Sequence, residues 1–179
     1  MADWAEGADL KLGILELAPG IIAGDDRVNG FLEAIADAPN VEVVSQLVGQ
    51  TVEDSYQAAQ DMLTANPDLG AIYAINGPSA EGASRALEAA GIQVGDDFLL
   101  VGFNGDPNEI ELIGEGKQTA TIAQDPFTQG RLAVENAMGL FDGTQPTYTD
   151  ADERTILVPV SVVDAANLEE FKAEREAQG

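Results

Sequence analysis

Ala71-Ile-Tyr-Ala-Ile-Asn-Gly-Pro-Ser-Ala-Glu-Gly-Ala83 is the stretch that decides the fold. Its first five residues, Ala71 to Ile75, form an apolar run too short for a helix, closed by the structure-breaking Asn76-Gly77-Pro78, so they read as a buried strand. Ser79 to Ala90 then takes on helical spacing and ends at Gly91, a residue suited to a helix terminus. A second β-rich run follows from Phe98 to Phe103. A strand, a turn, a helix and another strand form a β-α-β unit, and its crossover makes the two strands parallel.

The same alternation extends in both directions. Upstream, Leu10 to Leu17 reads as a strand, Asp26 to Asp37 as a helix and Val41 to Leu47 as a strand. Val52 to Ala65 reads as a helix with Val52, Tyr56, Ala59, Met62 and Leu63 on one face. Downstream come a short helix from Pro107 to Gly114, a strand from Thr119 to Ala123, and a helix from Pro126 to Phe141 started by Asp125 and Pro126. The rhythm then changes: Asp142 to Arg154 is a polar loop, Ile156 to Val163 an apolar run, and a charged helix starts at Asn167. The expected fold class is α/β, a doubly wound parallel sheet with helices on both faces.

Composition narrows the chemistry. The chain has 179 residues, 45% of them hydrophobic, enough for one substantial core without disulfide or metal staples. It contains no cysteine and no histidine. That removes thiol nucleophiles, serine-histidine triads, imidazole acid-base chemistry and the usual zinc sites, so neither enzyme activity nor a cofactor is expected. Acidic residues outnumber basic ones 32 to 8, for a net charge of -24, which repels phosphate backbones and anionic lipids. Nucleic acid and membrane are therefore not expected partners. The acidic residues are spread along the chain, in Asp25-Asp26, Glu53-Asp54, Asp96-Asp97 and Asp150 to Glu153, as on a uniformly solvated surface. Such acidity resembles that of salt-adapted proteins or of a supercharged design. No apolar stretch reaches transmembrane length, and Met1 to Gly20 lacks the layout of a secretory signal.

Open α/β sheets bind ligands beyond the carboxyl ends of their strands, which directs attention to the loops after Leu17, Leu47, Ile75, Phe103 and Ala123. Those segments carry Arg27, Gln50, Asn76-Gly77-Pro78, Asn104-Gly105-Asp106 and Gln124. All supply polar groups that can exchange hydrogen bonds with hydroxyls, and convergence on one edge is expected. Plainer readings stand beside this one. Arg27 next to Asp25 and Asp26 fits a surface ion pair, Asn76-Gly77 and Asn104-Gly105 fit turns with positive φ, and Gln124 fits the lead-in to a helix cap. Asp142, Asp150 and Asp152 lack the spacing of a calcium loop, and no glycine-rich phosphate loop follows any strand. Trp4 and Phe127 fit ligand-stacking aromatics or, more commonly for single aromatics, packing residues, and both stay unassigned.

Four segments together resemble type I periplasmic sugar-binding proteins of the ribose-binding type. They are Ala71 to Ala83, Leu100-Val-Gly-Phe-Asn-Gly105, Thr119-Ala-Thr-Ile-Ala-Gln-Asp-Pro-Phe-Thr-Gln-Gly130, and Arg27-Val-Asn-Gly-Phe31, which is similar to the family's arginine-bearing helix start. The resemblance implies a Rossmann-like three-layer lobe of a two-lobed protein that closes on a sugar and delivers it to an ABC transporter permease, in the periplasm or outside the cell. Residues 1–124 and 156–179 would then be the C-terminal lobe, and 125–155 a segment crossing the hinge to an N-terminal lobe expected before Leu10. It implies ligand contacts from Arg27, Asn76, Asn104 and Gln124, with Gln50 weaker. This chain departs from the family in having Gly77 and Asn104 where Asp is commoner, and Gln50 where an aromatic is common; a less usual ligand, or a lost site, fits those changes.

Two rivals remain at this stage. One is the effector-binding core of a lac-repressor-type regulator, which shares the fold and would carry a basic helix-turn-helix upstream. The other is an isolated or engineered half-domain serving as a scaffold or self-associating module without ligand, favoured by the absent lobe and the charge.

Overall fold

A computed structural model describes residues 9–95 and 97–178; Trp4 and Asp96 lie outside the described residues. The elements in order are β1 (Leu10–Glu16), α1 (Ile22–Ile35), β2 (Val41–Val48), α2 (Val52–Ala65), β3 (Leu69–Ala74), α3 (Gly77–Ala89), β4 (Leu99–Asn104), α4 (Pro107–Gly114), β5 (Ala120–Ala123), α5 (Pro126–Phe141), β6 (Ser161–Asp164) and α6 (Leu168–Gln178). The strands form one sheet in the order β2-β1-β3-β4-β5-β6. All neighbours pair in parallel except β5 and β6, which are antiparallel, so the sheet is mixed at one edge.

The alternation of side chains along each strand sorts the core into two faces. Leu15, Ile72, Ala74 and Leu100 pack with α2 and α3 residues such as Ala59, Met62, Ala83 and Leu87. Leu12, Ile14, Ala71, Tyr73 and Ile75 point the other way, onto Val28, Phe31 and Leu32 of α1. Near β5 and β6, Ile113 of α4 and Leu168 and Phe171 of α6 close on Ala123 and Val163. α2 and α3 touch closely because position 82 is glycine. A Cβ there would collide with the Val52 carbonyl oxygen and lie 2.6 Å from Ser55 Cβ and 2.7 Å from Tyr56 N.

Most element positions follow the sequence reading, with three corrections. α1 begins at Ile22, four residues before the expected Asp26, so Arg27 sits in its second turn and not at its start. Its N-cap, Ile21, has no side-chain cap bond, which is why no local capping signal marks it. The fully buried residues of α2 are Ser55, Ala58, Ala59 and Met62; Tyr56 and Leu63 of the expected stripe pack half-buried against the same core, which also takes in Ser55 and Ala58 beyond that stripe. Of the Ile156 to Val163 run only the last three residues enter a strand, β6, which ends one residue later at Asp164.

α5 differs from every other helix in having no buried residue. Phe127, Val134, Met138 and Phe141, spaced by seven, four and three, fall on one helical stripe, and all are exposed. On another side, Gln129, Leu132, Ala133 and Asn136 border Ile156 and Val158 across a shallow groove.

Candidate functional site

Strand order reverses direction between β1 and β3: β2 lies to one side, β3 to β6 to the other. The loops at the carboxyl ends of these two strands therefore diverge and leave a crevice, the usual ligand position in an open α/β sheet. Arg27, on α1 above β1, donates from Nη1 to the Ile75 carbonyl at 2.7 Å, and its guanidinium lies 4.0 Å from the centroid of the Phe103 ring. It is thus held toward the crevice, while Asp25 accepts a bond from Gly20 N at 3.2 Å. Partial burial lowers the Arg27 pKa, opposed by the Tyr73, Asp106 and Glu109 groups nearby. Tyr73, stacked on Phe31 at 4.4 Å, is pushed up to about 12 by burial. It stays protonated and can serve as a neutral hydroxyl.

Asn76 is the N-cap of α3: its Oδ1 accepts from Ser79 N at 2.8 Å, which leaves the side-chain NH2 unspent by the cap. Its φ of -155° is extended and Gly77 is not among the positive-φ glycines, so of the two readings for Asn76-Gly77 the positive-φ turn does not hold and a helix cap stands in its place. Ser79 Oγ donates to the Gly49 carbonyl at 2.7 Å, which ties the loop after β2 to the start of α3. Gln50, next along that loop, is exposed.

At the ends of β4 and β5 the expected residues meet directly. Gln124 Nε2 donates to Asn104 Oδ1 at 3.0 Å, and Asn104 Nδ2 donates to Asp106 Oδ2 at 3.1 Å. Asn104 has φ +123° and Gly105 φ +74°, so the positive-φ turn expected here is present. Gln124 is fixed further by its backbone N–H to the Asn104 carbonyl, 3.0 Å, and by Arg175, whose Nη2 donates to the Gln124 carbonyl at 2.6 Å. Asp125 caps α5 through Thr128 N at 3.0 Å, so Gln124 both leads into a cap and contacts Asn104.

Sequence reasoning missed the group that holds this loop. Glu109 is fully buried and takes four bonds. Its Oε2 accepts from Gly105 N at 3.0 Å and Asp106 N at 3.1 Å; its Oε1 accepts from Thr121 Oγ1 at 2.8 Å and Gln118 Nε2 at 3.0 Å. The available signal was a Glu three residues after Asp106, half of a capping box. Burial raises the Glu109 pKa, and the bonds from Gln118, Thr121 and the Asp106 backbone offset part of that rise. A raised folded-state pKa means that the folded protein holds this proton more tightly than the unfolded chain. Glu109's contribution to stability is then complete below the ordinary glutamate range and lost as pH rises through the raised value. In urea denaturation, wild-type stability minus that of Glu109→Gln is expected to fall as pH rises from about 4. A difference that rises with pH overturns this assignment.

No cluster of three or more His, Cys, Asp or Glu among the described residues is placed to hold a metal ion. The site is a set of hydrogen-bonding groups around aromatic faces, without a nucleophile and base in contact.

Comparison with known proteins agrees with this architecture. A family model described as a periplasmic binding protein domain matches residues 1–145. The ribose import binding protein RbsB of Escherichia coli (strain K12) is 35% identical over 137 residues, covering 76% of this chain and 45% of the relative. The D-allose-binding periplasmic protein of the same organism is 34% identical over 132 residues, covering 73% and 41%. Among solved structures, an ABC transporter periplasmic solute binding protein from Actinobacillus succinogenes 130z with bound D-allose superposes with a TM-score of 0.84 at 30% identity, over 94% of this chain and 57% of that one. An ABC transporter solute binding protein from Bacillus halodurans C-125 with bound myo-inositol gives 0.80 at 26% identity, over 93% and 55%. The chain thus spans about half the length of the relatives that it matches. With a family model over most of its length and relatives above 30% identity, the chain belongs to the type I periplasmic binding protein family.

Proposed function

We propose that this chain is the C-terminal lobe, residues 1–124 and 156–179, of a non-enzymatic solute-binding protein. The carboxyl edge of its sheet would hold a monosaccharide or polyol. What carries the reading is that Arg27 bonds the Ile75 carbonyl next to Asn76 and lies over the Phe103 ring next to Asn104, which Gln124 bonds in turn, so the four follow one another along the carboxyl ends of β3, β4 and β5. Arg27 offers its remaining N–H groups to hydroxyl oxygens, and Asn76 its free NH2. Asn104 and Gln124 form one amide pair whose unspent donor and acceptor face the ligand, with Gln50 at the margin. Relatives named for ribose and D-allose, and structures with D-allose and myo-inositol bound, support a ligand of this class.

In this reading residues 125–155 cross to a second lobe that closes on the sugar. The exposed apolar stripe of α5 supports that role, since a contiguous exposed apolar patch commonly marks a contact surface. The parent protein would work in the periplasm or outside the cell and deliver its sugar to an ABC transporter permease.

The test is an NMR titration of the isotope-labelled chain with D-ribose, D-allose and myo-inositol to tens of millimolar, in low and high salt. Saturable shifts centred on Arg27, Asn76, Asn104 and Gln124 are expected, and Arg27→Ala is expected to remove them while the spectrum stays dispersed. Absence of saturable shifts, in the lobe and also with the second lobe restored, overturns the proposal.

A further inference from the structure

Asp106 is the N-cap of α4, in a capping box with Glu109, and lies on the same edge without being counted among the ligand contacts above. Its carboxylate occupies the space in front of Gly77, on the neighbouring loop. A Cβ built on Gly77 would collide with Asp106 Oδ2 and lie 3.1 Å from its Cγ and 3.3 Å from its Cβ. Position 77 therefore tolerates no side chain while Asp106 stays where it is. The loop that aims Asp106 is also unusually well fixed. Asn104 holds Oδ2 at 3.1 Å, and the Asp106 N–H is anchored 3.1 Å from the buried Glu109, which binds Gly105 as well. Positive φ at both Asn104 and Gly105 turns the chain sharply so that Asp106 faces back across the ends of β3 and β4. Four bonds to one buried carboxylate far exceed what capping an eight-residue helix requires.

An ionised carboxylate accepts hydrogen bonds but donates none, and its bonds to hydroxyls are roughly twice as strong as neutral ones. The amides at Asn76, Asn104 and Gln124 each mix donor and acceptor and discriminate less. Arg27 on the Ile75 carbonyl and Asp106 in front of Gly77 both lie at the carboxyl end of β3, so this edge offers a donor fork and a pure acceptor to a sugar whose hydroxyls do both.

We propose that Asp106 is the carboxylate that reads one sugar hydroxyl, that Glu109 positions it, and that glycine at position 77 is what gives it room. This assignment rests on the sugar-binding reading above and adds the group that sets specificity within it.

The experiment compares wild type, Asp106→Asn, Gly77→Ala and the control Asp142→Asn, which makes the same charge change in the polar loop after α5. Each is titrated by NMR with D-ribose, D-allose and myo-inositol, and with the mono-deoxy analogues of whichever binds. Asp106→Asn is expected to raise Kd at least about tenfold, a step of about 1.4 kcal/mol. Gly77→Ala should do the same by displacing the carboxylate, and Asp142→Asn should change nothing. One deoxy analogue should bind wild type and Asp106→Asn equally well, an equality that general loosening of the loop does not produce. If wild type binds a sugar and Asp106→Asn binds it as tightly, the Asp106 assignment falls and the sugar-binding reading stands. If wild type gives no saturable shifts with any of the probes, with or without the second lobe, the reading fails and takes this assignment with it.

Discussion

Joined to a complementary N-terminal lobe, the chain is expected to bind its sugar about a thousandfold more tightly than it does alone, with Kd moving from about 1 mM to about 1 μM. The estimate follows from sharing. A closed receptor near 1 μM corresponds to about -8 kcal/mol, and one lobe supplying half the contacts keeps about -4 kcal/mol. The isolated lobe also leaves the bound sugar facing water on one side, where its hydrogen bonds compete with solvent. Closure would in addition cover Phe127, Val134, Met138 and Phe141 of α5, which now lie exposed. Burying such side chains contributes about 1.5–3 kcal/mol each before ordering costs are subtracted, so the second lobe should raise Tm as well. The measurement is calorimetric titration of a chimera carrying the first half of the Escherichia coli ribose import binding protein, beside the lobe alone. Equal affinities in the two proteins would mean that the second lobe adds no ligand contact and that the sugar is not shared between lobes.

How much of this was legible in the sequence depends on the range of the interaction that decides each feature. α2 was read to the residue because Thr51, whose Oγ1 accepts from Asp54 N at 3.1 Å, is a local cap followed by a clear helical period. α4 and α5 were equally plain, each opened by Asp and Pro. α1 was misplaced at its start because Ile21 and Ile22 continue the apolar character of the preceding strand and offer no cap. The direction of β6 was invisible, since an eight-residue apolar run does not state which neighbour pairs with it or in which sense. For the site, strand-end position drew attention to Arg27, Gln50, Asn76, Asn104, Asp106 and Gln124, and the family resemblance narrowed these to Arg27, Asn76, Asn104 and Gln124, with Gln50 weaker. Their bonding was not readable: the Asn104 amide is engaged by Gln124, twenty residues away, and by Asp106. The contact between Gly77 and Asp106 joins two loops that only the sheet brings together, so no local pattern records it.

Gly82 supplies the second large effect, and it runs against the ordinary rule for helices. Alanine is favoured over glycine in a helix interior by about 0.5–1 kcal/mol, because glycine loses more backbone freedom on folding. Gly30, inside α1 with nothing within 4 Å of an added Cβ, should follow that rule, so Gly30→Ala is expected to stabilise the chain by about that amount. Gly82 should reverse it. An added methyl there meets the backbone of α2 at Val52 and Tyr56 and the Cβ of the buried Ser55. None of these is the end of a flexible side chain, so the methyl fits only if the helices move apart. That separation would loosen Ala59, Met62, Ala83 and Leu87, the residues through which both helices cover their face of the sheet. Overpacking of this kind costs about 1–3 kcal/mol, so Gly82→Ala should destabilise by roughly the upper end of that range, and Gly82→Val should leave little folded protein. Urea denaturation of the three variants beside wild type decides the matter. Stabilisation by Gly82→Ala comparable to that of Gly30→Ala would mean that α2 and α3 are further apart than described, and with them the loops at Gly49 and Asn76 that Ser79 ties together.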